Sequence, residues 1–356
     1  MRLHEFVTTI TDPRTRGRAI GRHFAAQLHD TSSRYLAHFE ALGLASRTVR
    51  DVTEHSHDAL RTWCPALAEE SDGIAEGAGL EPWQVAAVGA RTEVLAAAPP
   101  VPECTTAVHL PPAGGAPETI QTWDWHDRLA PEGLLLSYVT GTGRAVKLFT
   151  EFGAAAKIGV NDAGLGLHFN ILHHRCDEST GGVPVHAVAR RVLEEASTVA
   201  EAHELVASAS ISASTVLTVV DYHDGRAHAA ALEMSPAGVA AVLPEPDGWL
   251  IHTNHFLNPA LAAGDASVAQ TLSVERYEHA RSVRAAMAGL SPTERAAAFC
   301  GPDGADAIVC IRVDETVPTH EQWQTLLTIS LDVPGFALEH LAATPDVGGR
   351  EGLRRF

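Results

Sequence analysis

Two hydrophobic periods divide the chain. Residues 18–42, RAIGRHFAAQLHDTSSRYLAHFEAL, carry apolar side chains at helical spacing, and residues 60–80 and 81–98 continue that period, with Pro82 near a helix start. The run PPVPE at 99–103 breaks any helix. Behind it the period becomes two. CTTAVHL (104–110), ETIQTWDW (118–125), GLLLSYVT (133–140) and RAVKLFTEF (144–152) read as strands parted by turn-forming segments. AKIGVNDAGLGLHFNIL (156–172) predicts a hairpin that turns at Asn161-Asp162-Ala163-Gly164. Two helices are expected at 183–198 and 199–209, then strands at 214–222, 227–235, 238–243 and 249–256. Helices at 273–289 and 291–301 lead into final strands at 307–313, 323–333 and 336–341.

Strands and helices therefore come in separate runs, the order of an α+β layered fold rather than a doubly wound one. Two antiparallel sheets packed face to face, with helices outside, would hold about ten strands in one domain. The helical first third would wrap that core. No internal repeat is present.

Composition narrows the function. The net charge of −18 gives a surface that repels nucleic acid and anionic membranes. No window reaches the apolar length that spans a bilayer. The start, MRLHEFVTTITDPRTRG, has no charged segment followed by an apolar core, so the expected compartment is the cytoplasm. The five cysteines are odd in number, irregularly spaced and without a CxxC pair, which argues for free thiols.

Cys104 stands where the proline-rich break ends and the strands begin. By itself it reads as a loop residue or a small buried hydrophobe. If the chain is cut before it, one residue carries both a thiol and an α-amine of pKa about 8, which can take the thiol proton as a histidine would. Cys104 can make that cut by attacking the Glu103 carbonyl, passing through a thioester that water opens. Pro102 restricts the backbone just ahead.

The segment ECTTAVHL, followed by QTWDWHD, resembles the peptidase C45 family of acyl-coenzyme A:6-aminopenicillanic acid acyltransferase-like enzymes, within the N-terminal-nucleophile (Ntn) hydrolases. The blocks SDGIAEGAGLEPWQVAAVGARTE (71–93), TEFGAAAKIGVNDAGLGLHFNILHH (150–174), GVPVHAVARRVLEEAST (182–198) and LIHTNHF (250–256) are similar to family segments in the same order. The resemblance implies a four-layer αββα sandwich with a helical N-terminal segment. It implies self-cleavage at Glu103–Cys104 into a small subunit, 1–103, and a large one, 104–356, that stay together. It makes Cys104 the nucleophile, Asp124 the carboxylate near the new amine, and Asn254 the oxyanion-hole amide. Thr106, Asn170 and His173 fall in the pocket, and Arg312 is the candidate active-site arginine. Two departures stand out. Glu103 replaces a small residue, and Arg312 falls one position later than the family arginine that follows Ile-Cys.

The implied activity is that of an amidohydrolase or N-acyltransferase working through an acyl-Cys104 intermediate on a small-molecule acyl amide or amine. No cofactor or metal is implied, although acyl-coenzyme A serves as acyl donor in the penicillin case. Two other classes stay open: an uncleaved relative that binds a small molecule or protein, and an intact-chain thiol hydrolase using a distant histidine. The cluster His168, His173, His174, Cys176 and Asp177 fits no zinc spacing. The glycines of NDAGLGLHF are followed by no helix and make no phosphate loop.

Overall fold

A computed structural model of the protein describes residues 1–96, 98, 104–267 and 271–356. The first element is a strand, β1 (Arg2–Val7), followed by helices α1 (Pro13–His23), α2 (Ala25–Ala41), α3 (Ser46–Trp63), α4 (Pro65–Ala78), α5 (Pro82–Gly89) and α6 (Arg91–Leu95). Strands β2 (Thr105–His109), β3 (Glu118–Trp125), β4 (Glu132–Val139), β5 (Ala145–Thr150), β6 (Ile158–Asn161) and β7 (Leu165–Ile171) come next. Helices α7 (Val185–Glu195) and α8 (Val199–Ala207) precede β8 (Thr215–His223), β9 (Arg226–Ser235), β10 (Gly238–Val242) and β11 (Trp249–His252). The chain closes with α9 (Pro259–Ala262), α10 (Ser273–Met287), α11 (Pro292–Phe299), β12 (Gln324–Asp332), β13 (Ala337–Leu341), α12 (Pro345–Glu351) and β14 (Arg354–Arg355).

Among the described residues the strands form two sheets, ordered β1-β4-β5-β6-β7-β8-β9-β10 and β11-β2-β3-β12-β13-β14. Their facing sides share one core, with Trp123, Trp125, Leu327 and Ile329 of the smaller sheet against Leu135, Phe149, Val160 and Val216 of the larger. The period-two alternation sends the intervening residues outward. Leu134, Leu136, Leu148 and Leu167 meet Ile20, Phe24 and Leu28 of the N-terminal helices and Val188 and Val192 of α7. Ala107, Ile120 and Ile251 meet Ala280, Val283 and Phe299 of α10 and α11. The result is the expected α+β fold with layers helix, sheet, sheet, helix. Each large apolar side chain buried this way stabilises the fold by roughly 1.5–3 kcal/mol.

The first hundred residues do more than wrap the core. β1 pairs parallel with β4, from Arg2 opposite Glu132 to Val7 opposite Ser137, so the segment read as purely helical supplies an edge strand. Helices α1 and α4 cross closely because glycines face backbone on both. A Cβ on Gly17 would fall 2.1 Å from the Glu70 carbonyl, and one on Gly73 would fall 2.3 Å from that of Arg14. The strand expected at 307–313 is absent. The Cys310 N–H bonds the Ala307 carbonyl at 2.8 Å, closing a turn that follows a 3-10 segment at Gly301–Asp306. The strand expected to run to Phe256 ends at His252.

Candidate active site

The site forms where the smaller sheet's central strands begin and end. β2 pairs antiparallel with β3, Thr105 opposite Thr122 and Thr106 opposite Gln121. Cys104 thus enters the sheet beside Trp123, and Asp124 lies one residue further along β3. On its other side Asp124 is paired with Thr325 of β12. Alternation turns Thr106 toward the larger sheet and Thr105 toward α10. Cys104 is fully buried.

The carbonyl of Cys104 is clamped from two layers. From the larger sheet, Asn170 on β7 donates its Nδ2 to that oxygen at 3.1 Å. Asn170 Oδ1 accepts from Thr106 Oγ1 at 2.8 Å and Gln121 Nε2 at 3.2 Å, which fixes the amide's orientation. From the helix layer, Arg276 on α10 donates Nη1 to the same carbonyl at 2.7 Å and to Thr105 Oγ1 at 3.0 Å. Its Nη2 donates to Asn254 Oδ1 at 2.8 Å.

Asn254 sits in the turn that follows β11. Glu233 on β9 anchors that turn, with His252 Nε2 at 2.9 Å and the Leu257 N–H at 2.6 Å from its Oε1. Ser273 Oγ accepts the Asn254 N–H at 2.7 Å. Because the guanidinium holds Oδ1, the Asn254 amide must turn its NH2 away from Arg276. One of those hydrogens goes to the Ile171 carbonyl at 2.9 Å. The other makes no hydrogen bond among the described residues.

Asp124 is fully buried and underpaired. Thr325 Oγ1 donates to its Oδ1 at 2.7 Å, while Oδ2 has no hydrogen-bond partner among the described residues. Burial pushes its carboxyl up to about 6, against the opposing pull of the Arg276 charge and the threonine hydroxyl.

A cavity of about 330 Å³ opens next to this cluster. Its wall includes Trp125, adjacent to Asp124, and Ile171, whose carbonyl holds Asn254. Leu42, Leu95, Leu172 and Trp323 supply apolar surface. His173 lines it too; burial holds its imidazole down to about 4, and the same cause holds His38 to about 3 and His126 to about 4. These rings are neutral at ordinary pH.

The structure thus brings Cys104, Thr106, Asp124, Asn170 and Asn254 into one cluster, with His173 on the adjoining wall. Glu103 lies outside the described residues. Arg312 is not part of the cluster. It follows the turn at Ala307–Cys310, is half-exposed, and contacts Asp346 at 3.4 Å near the start of α12. The arginine in the site is Arg276, which the sequence reading missed. Its signal was present: Ser273, Arg276, Ala280, Val283 and Met287 are the buried stripe of α10, and an arginine on such a stripe needs a polar reason. The histidine cluster disperses: His168 Nδ1 meets Gln121 Oε1 at 2.9 Å between the sheets, whereas Cys176 is exposed.

Comparison with known proteins adds an independent finding. The family model described as acyl-coenzyme A:6-aminopenicillanic acid acyl-transferase matches residues 115–314. The 40 kDa form of the acyl-coenzyme A:6-aminopenicillanic-acid-acyltransferase of Emericella nidulans is 30% identical over 193 residues, 54% of this chain and 52% of that protein. The chain therefore spans about half the length of this relative. Similar solved structures include an N-acylethanolamine-hydrolyzing acid amidase ortholog from Caenorhabditis elegans, 14% identical over 65% of this chain and 93% of that one, with a TM-score of 0.43. A conjugated bile acid hydrolase variant from Clostridium perfringens is 13% identical over 67% and 89% of the two chains, with a TM-score of 0.42. These structural likenesses are too slight to bear on activity.

Proposed function

This chain belongs to the acyl-coenzyme A:6-aminopenicillanic acid acyl-transferase family, and from that premise we propose that it is a self-cleaving enzyme acting on an amide bond through Cys104. Maturation begins when Cys104 Sγ attacks the Glu103 carbonyl. The peptide C–N bond breaks, the acyl group passes to sulfur, and water releases residues 1–103. The new α-amine then serves as the base for its own thiol.

One observation carries this reading. The Cys104 carbonyl is locked by Asn170 and Arg276, while Asp124 keeps an oxygen unbonded in a buried site. The locked carbonyl fixes the residue as the amine and sulfur react. The free Oδ2 can receive the ammonium that cleavage creates, and that cation returns Asp124 to its ionised form. The unused Asn254 N–H suits a developing oxyanion, where such a donor contributes about 3–4 kcal/mol.

In turnover, Cys104 attacks the substrate carbonyl, and its α-amine passes the thiol proton to the leaving amine. Water resolves the acyl-enzyme in hydrolysis; a second amine resolves it in N-acyl transfer, with an acyl thioester such as acyl-coenzyme A as an alternative donor. The chemistry asks for no metal. The apolar walls of the cavity suit an uncharged acyl chain or ring, while Arg91, Asp177 and Glu321 also line it and can meet a polar end of the substrate. After cleavage the small fragment stays bound, since Tyr35, Phe39, Val49, Val88 and Val94 share the inter-sheet core and β1 is paired to β4.

Denaturing electrophoresis and intact-mass measurement test the proposal together. Active protein should give fragments of roughly 11 and 27 kDa, assuming an average residue mass, the larger beginning at Cys104 and gaining an acyl group when offered an acyl amide. Active protein that remains a single chain overturns the reading and favours an intact-chain thiol enzyme. Intact protein that binds acyl amides without turnover favours a binding module.

A further inference from the structure

A pair of sulfurs lies behind the site. Cys300, at the C-terminal end of α11, and Cys310 are both buried, with their Sγ atoms 3.5 Å apart. Cys310 is continuous with a strap that reaches Asp124. The Ile311 N–H donates to Thr325 Oγ1 at 3.1 Å, the Thr325 N–H returns to the Ile311 carbonyl at 3.0 Å, and Thr325 Oγ1 also lies 3.4 Å from the Val309 carbonyl. That hydroxyl is the group that donates to Asp124 Oδ1 at 2.7 Å. The residues on either side of Cys310 therefore set the position of the Asp124 hydrogen-bond donor.

We propose that Cys300 and Cys310 are an oxidation site that a small peroxide closes to a disulfide, drawing the 309–311 strap away from Thr325 and loosening Asp124. Bonded sulfurs stand about 2.05 Å apart, so closure needs a displacement on the order of 1.5 Å shared between the two backbones. The Gly301–Asp306 turn that joins them can absorb part of it, since Gly301 and Gly304 both adopt positive φ. The other part falls on Cys310 and its neighbours. The burial of both sulfurs favours a peroxide over a bulky disulfide as oxidant.

The step balances. The two thiols share a hydrogen bond, and each also faces a backbone carbonyl, Cys300 that of Ala296 at 3.5 Å and Cys310 that of Gly304 at 3.6 Å. The contact with Cys310 draws the Cys300 thiol down against burial, and we take Cys300 as the sulfur that reacts as thiolate. It attacks one peroxide oxygen, the O–O bond breaks, and the other oxygen leaves as water with a proton from the site. Cys300 is then a sulfenic acid. The Cys310 sulfur attacks it, the S–O bond breaks, and a second water leaves. The two sulfurs together lose two electrons, which the peroxide gains.

The test uses mature wild-type protein and Cys300→Ser, each treated with hydrogen peroxide and digested without reduction. The wild type should yield a linked Cys300–Cys310 peptide that dithiothreitol separates. The coupling to Asp124 rests on the function proposed above and is read at Cys104. Its alkylation by iodoacetamide should slow several-fold in oxidised wild type, recover with dithiothreitol, and be spared in Cys300→Ser, which controls for direct oxidation of Cys104. Exposed Cys176 reports that the oxidant acted. Oxidation of Cys176 without the linked peptide overturns the site. A linked peptide with Cys104 alkylation unchanged overturns the coupling. The linked peptide stands or falls whether or not the large chain begins at Cys104, so failure of the functional reading is seen separately. Cys300→Ala serves as the control if the serine variant folds poorly.

Discussion

Glu70 and Asp124 are both carboxylates withdrawn from water, yet they are opposite kinds of residue. Glu70 accepts from Arg16 Nε at 2.8 Å, from Arg16 Nη2, and from Arg190 Nη2 at 2.9 Å, with both guanidiniums lying over the Tyr138 ring. Burial pushes its carboxyl up, but the charges of Arg190 and Arg16 outweigh that and hold it below the ordinary range. At Asp124 burial is opposed by the Arg276 charge and the hydroxyls of Thr325 and Thr122, and burial wins. Burial by itself thus says little about role. The number of cationic partners separates a carboxylate that is finished, tying α1, α4 and α7 together, from one that still has an oxygen to offer.

Breaking the reactive side gives the largest effect. Cys104→Ala should leave a single uncut chain and lower amide turnover by roughly 10⁴-fold or more, read by electrophoresis and initial rates. The structural side breaks differently. Glu70→Gln leaves Arg16 and Arg190 buried with less countercharge, so unfolding free energy should fall by about 3–5 kcal/mol. The denaturant midpoint drops while the folded fraction keeps its kcat. Arg276→Met should reduce kcat on the order of 10²–10³-fold by freeing the Asn254 amide to flip. Arg276→Lys should not rescue it, because one ammonium cannot reach the Cys104 carbonyl, Thr105 and Asn254 together.

Asp124 sharpens the comparison through pH. Its folded value, about 6, lies above the ordinary 3.8, so the folded state holds the proton more tightly than the unfolded state. The resulting stability is present below pH 4 and lost as pH rises through 6. In the uncut Cys104→Ala chain, Asp124→Asn should flatten that part of the stability curve, by about 3 kcal/mol at most. Glu93, raised by burial to about 7, and Asp177, to about 6, contribute slopes in the same direction, so the two curves must be subtracted. Thr325→Val should have the smallest effect, about 1 kcal/mol, and it should push Asp124 further up by removing a donor to the charged form.

Much of this molecule is legible locally. The period-two runs at 118–125 and 227–235 became β3 and β9 nearly residue for residue, because alternation is a property of neighbours in the chain. The segment 307–313 misled for the same reason: six apolar residues in seven do not distinguish a strand from a turn packed under α11. Residues 2–7, RLHEFV, carry no clean alternation, and the strand they pair with in parallel is 130 positions away. Within the site, Cys104, Asp124 and Asn254 were readable from motif blocks. Arg276 was not, since it reaches Cys104 across a separation of 172 residues. Arg312 resembled the missing arginine only by its place after a cysteine.

The sequence by itself determined the layered α+β order, the break before Cys104 and the residues able to do thiol chemistry, since those depend on short-range period, turn residues and side-chain type. Tertiary structure alone decided which buried charges are neutralised, which arginine reaches the Cys104 carbonyl, and which cysteine finds a second sulfur. Electrostatic pairing and desolvation depend on distances between segments far apart in the chain, and only the packing of sheets and helices sets those distances.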